Sequence, residues 1–397
     1  MGILRRVLVI GLMSGTSADG VDAALVEWPA GPDTRPFRLV AFEETPFEAA
    51  LQGRIHRLAA GRLPGGEVLA EFSALDVALG EHFAAAASAL ARRAGVSLDA
   101  VAAIASHGQT VAHHPELRAT LQIGDPSVIA ERTGCPVVAD FRPRDLAAGG
   151  EGAPLAPFFH RAAFAAAGEG RVVLNLGGIA NVTWLAAGGA PDDVVAFDVG
   201  PANTLIDGVV QIASGGAERF DADAARAWRG RVDERLLAEL LDDDFLRRPP
   251  PKSTGRERYG LAEAEALFAR STREGFTPDD LIATLVAFSA EAVARACRDF
   301  VPGKVERVIV GGGGAKNPAL MVDLGARLRV PVEPMDAHGV PAAAAEAMAF
   351  SLLGRNTLLG IPNQLPRTTG AAGPRVLGEI VPGADGRVLP GGAGSNA

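Results

Sequence analysis

The chain has 397 residues, of which 48% are hydrophobic and 21% charged, and its formal net charge is −9. That length predicts two domains, and the acidic balance argues against a surface for nucleic acid or an anionic membrane. The two cysteines lie far apart in apolar surroundings, which indicates neither a disulfide framework nor a zinc site.

The N-terminal stretch MGILRRVLVIGLM places two arginines before a short apolar run, which faintly resembles a signal peptide. The run stops at Gly11 and passes into a polar turn with no small-residue cleavage site, so a buried strand is the better interpretation. No apolar segment reaches membrane-spanning length. We therefore expect a cytoplasmic protein that has no membrane partner.

The first glycine-rich turn, GLMSGTSADGVD at 11–22, follows a predicted strand at 4–10 and precedes another at 21–28. Glycine lets backbone N–H groups approach a phosphate closely. In Rossmann and P-loop proteins such a turn opens a helix, and the chain contains no GxxxxGK[ST]. The pattern predicts a phosphate-binding hairpin of two strands.

The next elements are a long helix at 67–94, a strand at 101–111 that leads into a polar turn, a strand at 135–141 and a helix at 153–168. In the polar turn, His107 and Gln109 suit hydrogen bonding to a polyhydroxylated ligand better than metal binding, because the nearby histidines lack ligand spacing. Arg142 and Arg144 suit a carboxylate or phosphate, although a solvated ion-pair cluster fits them equally well.

A second hairpin of the same design follows more than a hundred residues later. It consists of a predicted strand at 171–176, a turn at 177–181 and a strand at 182–185. Two such hairpins indicate a duplicated α/β unit.

Asp198 is predicted at the end of a strand at 194–197, beside a turn. Ligands of α/β folds bind at strand ends, where a carboxylate can deprotonate a hydroxyl group or a water molecule. The alternative is that Asp198 caps the following helix through local N–H groups, and taken alone this is favoured.

The last elements are a helix at 280–301, a strand at 307–314, and helices at 317–328 and 341–355. Four glycines at 311–314 allow close approach to a flat group such as adenine, or simply join strand to helix. Because three glycine runs each end a strand, ligand binding is favoured. The basic loop at 251–258 receives no assignment.

The order of these features along the chain, two glycine-rich hairpins, Asp198 and a late glycine run, resembles the superfamily of acetate and sugar kinases, Hsp70 and actin. Within it, the strings resemble the anhydro-N-acetylmuramic acid kinase family over nearly the whole chain. The strings are GLMSGTSADGVD (11–22), SHGQT (106–110), LQIGD (121–125), VVADFRPRD (137–145), GGEGAPLAPFFH (149–160), LNLGGIANVT (174–183), FDVGPANTLID (197–207), PKSTGRER (251–258), VGGGGAKNPALM (310–321) and EAMAF (346–350).

The resemblance implies an α/β fold of two actin-like, ribonuclease H-like domains with an interdomain cleft. Domain I would cover 1–170, with the first phosphate hairpin and most of the sugar site, and be completed by 350–397. Domain II would cover 171–349, with the second hairpin, the catalytic aspartate and the adenosine loop. The implied reaction converts 1,6-anhydro-N-acetylmuramate, ATP and water into N-acetylmuramate 6-phosphate and ADP, in cell-wall recycling. The resemblance also implies Mg²⁺, a small-molecule substrate and a homodimer.

The resemblance further assigns roles to residues. Asp198 would be the general base, and Asp19 would hold Mg²⁺ through water. The sugar would contact residues that include Thr110, Arg144 and Glu346, in addition to the two side chains of the SHGQT string, His107 and Gln109. The expected ATP-binding residues are Gly15, Thr16, Ser17, Ala18, Asp19, Gly20, Val21, Asp22, Gly177, Gly178, Gly312, Gly313 and Asn317.

The chain departs from the family pattern at three positions. Pro143 stands where an arginine is common, Glu151 replaces a glutamine, and Ala202 replaces a glycine. None of these removes a proposed catalytic group. The alternatives are a kinase of a neutral anhydrosugar such as levoglucosan, and a non-kinase actin-like ATPase; Arg144, a candidate partner for the lactyl carboxylate, favours the muramate.

Overall fold

The computed structural model describes residues 6–255, 257–384, 386 and 388, and contacts among residues divide the chain into two units. Unit 1 comprises Met1–Ala163 and Ala343–Ala397, and unit 2 comprises Phe164–Ala342. The chain passes from unit 1 to unit 2 after Ala163 and returns to unit 1 after Ala342. The boundaries predicted from the sequence lie after residues 170 and 349.

The strands, in chain order, are β1 (Arg6–Ser14), β2 (Gly20–Pro29), β3 (Arg38–Pro46), β4 (Val101–His114), β5 (Ala119–Ile123), β6 (Val137–Ala139), β7 (Arg171–Leu176), β8 (Ile179–Leu185), β9 (Val195–Pro201), β10 (Arg307–Gly311), β11 (Val332–Pro334) and β12 (Glu379–Val381). The α-helices are α1 (Ala49–Ala59), α2 (Val68–Arg93), α3 (Pro126–Thr133), α4 (Phe141–Ala147), α5 (Ala156–Phe164), α6 (Asn203–Ala213), α7 (Ala225–Arg229), α8 (Glu234–Leu240), α9 (Asp244–Arg247), α10 (Leu261–Glu274), α11 (Pro278–Phe300), α12 (Pro318–Leu328), α13 (Ala345–Leu358) and α14 (Pro366–Thr369).

The sheets of the two units share one strand order. The sheet of unit 1 runs β12-β6-β4-β1-β2-β3, with β5 paired to β4, and that of unit 2 runs β11-β10-β7-β8-β9. In each, three antiparallel strands come first in the chain, and two later strands add in parallel beside the first: β4 and β6 in unit 1, and β10 and β11 in unit 2. In unit 1, β5 and β12 pair antiparallel with β4 and β6. This 3-2-1-4-5 order is that of a ribonuclease H-like domain, so the predicted duplicated α/β fold is confirmed.

Each sheet is covered by a long helix whose apolar residues repeat at helical spacing. In unit 1, α2 buries Leu75, Leu79 and Phe83 in the core beside the sheet, and α13, whose residues are nearly all buried, packs on β1, β2 and β4. In unit 2, α11 occupies the corresponding core with α6 and β9. Two separate cores result, and burial of their side chains is the main favourable term in the folding of each unit.

The predicted hairpins and long helices are confirmed, but one predicted turn is wrong. SHGQT at 106–110 lies within β4, a single strand of 14 residues. Gly108 has a φ of +72°, and the pairing with β1 shifts register between Leu12 and Ser14. A polar, irregular stretch inside a strand has the composition of a turn, and pairing on both sides keeps it extended.

In the part of the chain described here, no helix has both the length and the apolar character needed to cross a membrane.

Candidate active site

The turn between β1 and β2 presents polar groups to solvent. Thr16, Ser17 and Asp19 are exposed, whereas the methyl group of Ala18 is buried. The Ala18 N–H donates to the carbonyl oxygen of Gly15 at 3.0 Å, and Ala18 has a φ of +48°. Such a left-handed residue costs about 1–3 kcal/mol, so the surrounding contacts hold the turn in place. A turn fixed in this way, with exposed hydroxyl residues, suits a phosphate.

Gln109 braces this turn from the neighbouring strand. Its Nε2 donates to the carbonyl oxygen of Gly15 at 3.1 Å, and its Oε1 lies 2.7 Å from the Ser14 hydroxyl group, which also lies 2.7 Å from the carbonyl oxygen of Gly20. The side chain of Gln109 is fully enclosed. The structure thus places this predicted sugar-binding residue against the first glycine-rich turn.

Carboxylates crowd the start of β2. Burial and the neighbouring carboxylates of Glu44, Glu346 and Asp19 raise the pKa of Asp22 to about 7. Negative charge that protein groups leave uncompensated favours a bound cation. In the described residues, no three His, Cys, Asp or Glu side chains form a metal-binding group on their own. Mg²⁺ commonly uses one or two carboxylates together with waters and substrate phosphates, so the donors at this turn fit it.

Glu346 lies in the first turn of α13, with its side chain accessible to solvent. Desolvation by the surrounding protein raises the pKa of this carboxyl group, and the guanidinium group of Arg142 opposes that rise. Glycine at position 11 brings α13 against β1: a Cβ there would lie 1.9 Å from the carbonyl oxygen of Ala347. Close packing of the helix on the strand therefore places Glu346 near the first turn.

Arg142 is a site residue for which the sequence predicts no specific contact. Its Nε and Nη2 lie 3.1 and 2.9 Å from Nε2 of His107, and its Nη1 donates to the carbonyl oxygen of Gly152 at 2.8 Å. Burial and, to a smaller extent, the charge of Arg142 lower the pKa of His107 to about 3. His107 is therefore neutral, and it accepts from Arg142 through Nε2 while Nδ1 faces the carbonyl oxygen of Gly108 at 2.8 Å.

The remaining predicted sugar-binding residues are less constrained. Arg144, on α4, is exposed and has no side-chain hydrogen bond or ion pair within the described residues, whereas the Thr110 hydroxyl group accepts from Gln122 Nε2 at 3.2 Å.

Asp145, next to Arg144, is fully buried and accepts from the backbone N–H of Gly152 at 2.8 Å and from the Thr369 hydroxyl group at 2.8 Å. Asp145 thus ties the 150–152 loop to the C-terminal segment.

In unit 2, the second turn and the third glycine run meet at one end of the sheet. Gly311 of β10 pairs with Asn175 of β7, just before the second turn. Gly312 has a φ of +78°, and a Cβ there would lie 2.7 Å from the backbone of Leu176. Any larger residue would separate the two segments, so these glycines permit their approach.

The N-terminus of α6 holds the second turn. The carbonyl oxygen of Gly178 accepts from the N–H groups of Ala202 and Thr204 at 2.9 and 3.2 Å, and that of Gly177 accepts from Asn203 Nδ2 at 2.7 Å. Ala202 is fully buried at a φ of −112°, so the alanine that replaces glycine there does not occupy the left-handed region. Asn317 caps α12 through its Oδ1, which accepts from the N–H of Leu320 at 3.1 Å.

Asp198 lies inside β9, opposite Asn181 of β8, so the predicted position at a strand end is wrong. Pairing with β8 continues through Gly200 and Pro201, so the residues predicted as a turn belong to β9. The alternative of helix capping also fails: the N-cap of α6 is Ala202. Asp198 Oδ2 instead accepts from the Thr254 N–H at 3.0 Å. Burial is the main cause that raises the pKa of Asp198; the Thr254 N–H and the Lys252 charge lower it, and Glu257 raises it.

The loop at 251–258, unassigned by sequence, therefore contacts the proposed base. Lys252 is buried and its Nζ donates to the carbonyl oxygen of Phe245 at 3.1 Å. A lysine between prolines and hydroxyl residues, as in PPKST, is the only signal in the sequence, and it does not reveal burial. Arg256 of this loop lies outside the described residues.

Comparison with known proteins decides the family. Residues 7–383 match the family model for anhydro-N-acetylmuramic acid kinase. The chain belongs to the anhydro-N-acetylmuramic acid kinase family. Relatives of that name come from Caldanaerobacter subterraneus subsp. tengcongensis (42% identical, 94% of this chain and 96% of the relative), Gloeobacter violaceus (45%, 94% and 98%) and Xanthomonas campestris pv. campestris (47%, 94% and 97%).

Membership of this kinase family accords with what each unit contains. Unit 1 brings together the first turn, Gln109, Asp22, Glu346 and Arg142. Unit 2 brings the second turn to the third glycine run and places Asp198 on the strand next to β8. The family uses ATP, and the Mg²⁺ that accompanies ATP in such kinases fits the carboxylates of unit 1.

Proposed function

We propose that this chain phosphorylates 1,6-anhydro-N-acetylmuramic acid with ATP, opening the anhydro ring with water to give N-acetylmuramate 6-phosphate and ADP. Family membership over residues 7–383 supports the reaction class. The observation that carries the mechanism is Asp198: a half-buried carboxylate, tied by one backbone N–H, beside the strand that follows the second turn.

In this mechanism Asp198 Oδ accepts a proton from water as the water oxygen bonds to the anomeric carbon. The bond between that carbon and O6 breaks, and O6 takes the γ-phosphoryl group while ADP leaves. A raised pKa makes Asp198 a stronger base than an exposed aspartate. Phosphoryl transfer itself requires mainly positioning and charge neutralisation.

The nucleotide is proposed to bind at the glycine turns. The first turn, Gly15–Asp22, would hold the phosphates, with Gly177 and Gly178 of the second turn and Gly312, Gly313 and Asn317 of the third run on the nucleotide as well. Asp19 would hold Mg²⁺ through water, with Asp22 near it. When bound, Mg²⁺ supplies charge to the phosphate oxygens.

The sugar is proposed to contact His107, Gln109, Thr110, Arg144 and Glu346. Two of these are already engaged within the protein, which restricts their contact with the sugar. His107 accepts a hydrogen bond from Arg142, and Gln109 donates one to the first turn. Arg144 is exposed and unengaged among the described residues, as a partner for an incoming carboxylate must be. A carboxylate on the substrate favours the muramate over neutral levoglucosan. A homodimer and a cytoplasmic location complete the proposal.

The test is ADP release with anhydromuramate, levoglucosan and ordinary hexoses as acceptors, for the wild type and Asp198→Asn. We expect ADP only with anhydromuramate, and a fall in kcat of about 10²–10⁴-fold in Asp198→Asn with nucleotide binding retained. Asp323→Asn is the matched control, because Asp323 is also a carboxyl group of unit 2 with a raised pKa but contacts Arg327 on α12. Full activity of Asp198→Asn would refute the assignment of the base.

A further inference from the structure

The segment Pro251–Gly255, which we call the support segment, makes two backbone contacts with Asp198. The Thr254 N–H donates to Asp198 Oδ2 at 3.0 Å, and the Asp198 N–H donates to the carbonyl oxygen of Lys252 at 3.2 Å. One residue of β9 is thus held at its side chain and at its backbone by the same short segment. The position of that segment therefore determines where the Asp198 carboxylate points.

The side chain of Lys252 anchors the support segment. It is 8% exposed, and its Nζ donates to the carbonyl oxygens of Phe245 and Leu246 at 3.1 and 3.3 Å. The Nζ also lies 4.7 Å from the ring centroid of Phe300, 4.8 Å from that of Phe245 and 5.9 Å from that of Phe197. Phe197 directly precedes Asp198, so the anchor and the base share one stretch of β9.

A charged lysine is a costly way to fill an apolar cage. Burial lowers the pKa of Lys252 to about 8, against the opposing charges of Asp243, Asp198 and Asp299. An apolar side chain of the same length would pack among three aromatic rings without that desolvation cost. Packing alone therefore does not explain why a cation occupies this position. Its electrostatic attraction for the Asp198 carboxylate does.

We infer that Lys252 is a positioning residue for Asp198: through the support segment it holds the carboxylate on the Thr254 N–H, and its positive charge attracts that carboxylate. The inference rests on the proposed role of Asp198 as the general base. Lys252 itself touches no reacting atom. Among the described residues, the groups that face Asp198 are the Thr254 N–H, Glu257 and Lys252, and of these Glu257 alone favours the protonated form.

The direction of the expected effect follows from these charges. Without the Lys252 charge, burial and Glu257 still raise the pKa of Asp198, and the hydrogen bond from the Thr254 N–H alone lowers it. The pKa of Asp198 therefore rises. The acidic limb of the kcat profile, which reports the ionisation of the base, then moves to higher pH by about one unit. Affinity for the sugar and the nucleotide does not depend on this charge, so KM stays unchanged.

The experiment compares Lys252→Met with Phe300→Leu in the full chain. Methionine keeps the length of the stem and removes the charge, whereas Phe300→Leu opens the same cage and leaves the charge in place. We expect Lys252→Met to shift the acidic limb, so that kcat falls by up to about tenfold on that limb and changes little on the plateau. We expect Phe300→Leu to lower only the thermal stability. Equal losses of stability with unshifted pH profiles in both variants would show that Lys252 is merely structural.

A second pair of variants keeps the inference testable should Lys252→Met fail to fold. Thr254→Pro removes the donor to Asp198, and Thr254→Ala retains it. We expect the acidic limb to shift in Thr254→Pro alone; an unshifted limb there would overturn the inference. Asp198→Asn separates the two proposals: if it retains turnover the proposed function fails, whereas an inactive Asp198→Asn with an unshifted Lys252→Met refutes only the positioning role.

Discussion

The two units have the same strand order but place different groups at their glycine turns. In unit 1 the turn after β1 carries exposed Thr16, Ser17 and Asp19, and carboxylates lie around it. In unit 2 the turn after β7 consists of two glycines whose carbonyl oxygens are capped by the start of α6. A shared scaffold thus positions side-chain charge in one unit and backbone groups with a single carboxylate, Asp198, in the other.

The largest expected effect distinguishes glycines that permit packing from glycines that face a ligand. In unit 1, Gly11→Ala places a Cβ 1.9 Å from the carbonyl oxygen of Ala347, so β1 and α13 must separate; we expect a loss of about 3 kcal/mol or more in the free energy of unfolding. In unit 2, Gly312→Ala adds strain at a φ of +78° and a clash with Leu176. Urea denaturation without nucleotide measures both losses.

The controls are the neighbouring turn glycines. A Cβ at Gly15 meets only Ser17 Oγ at 3.8 Å, and one at Gly313 meets nothing within 4 Å. Gly15→Ala and Gly313→Ala should therefore retain wild-type stability, and any loss they cause should be in ATP affinity. If Gly313→Ala unfolds as readily as Gly312→Ala, the distinction between the two kinds of glycine is wrong.

The second prediction separates the two arginines of α4. Arg144→Met should raise KM for the anionic sugar about tenfold, because one charged contact is lost, with no change in stability. Arg142→Met should lower the melting temperature by several degrees, because His107 Nε2 and the carbonyl oxygen of Gly152 lose their donor in a buried place. Kinetics with anhydromuramate and thermal melts check the two. An unchanged KM in Arg144→Met would remove this residue from the sugar site.

The smallest predicted effect concerns Asp22. The folded protein holds this proton up to about pH 7, whereas the unfolded chain releases it near 3.8, so the folded state binds more protons in that interval. Without divalent cations, the free energy of unfolding should therefore fall from pH 4 to 7, by about 1 kcal/mol after solvent screening. Asp22→Asn should lack this fall, and Mg²⁺ should reverse it in the wild type only. Parallel pH curves for the two proteins would refute the charge crowding.

Much of the fold can be predicted from the sequence because its signals are local. The hairpin at 171–185 shows an apolar run on each side of a glycine pair, and α2 and α11 carry helical periodicity over more than twenty residues. Prediction from the sequence fails where pairing with distant strands decides the local backbone structure. SHGQT has the composition of a turn, yet β1 and β5 pair with β4 on either side and keep it extended.

The site divides in the same way. Gly15 and Gly312 are apparent from the sequence because glycine is the usual solution for a tight turn or a close approach. Lys252 and Arg142 are not apparent, since their importance lies in burial and in partners many residues away. His107 lies 35 positions from Arg142, and Asp198 lies 56 from Thr254. The sequence reveals site residues whose position depends on their own segment of the chain. It does not reveal those whose position depends on contacts with a distant segment.

Unit 1 is built from both ends of the chain, which has a consequence for synthesis. Trp28 Nε1 donates to the Ser351 hydroxyl group at 2.9 Å, and the buried Arg355 donates to the carbonyl oxygen of Pro29 at 2.8 Å. These partners are made more than three hundred residues after β1 and β2. Unit 2, a continuous stretch, is complete before them. A nascent chain that ends before α13 therefore contains all of unit 2 but an incomplete unit 1, in which the apolar faces of β1, β2 and β4 that α13 covers are still exposed.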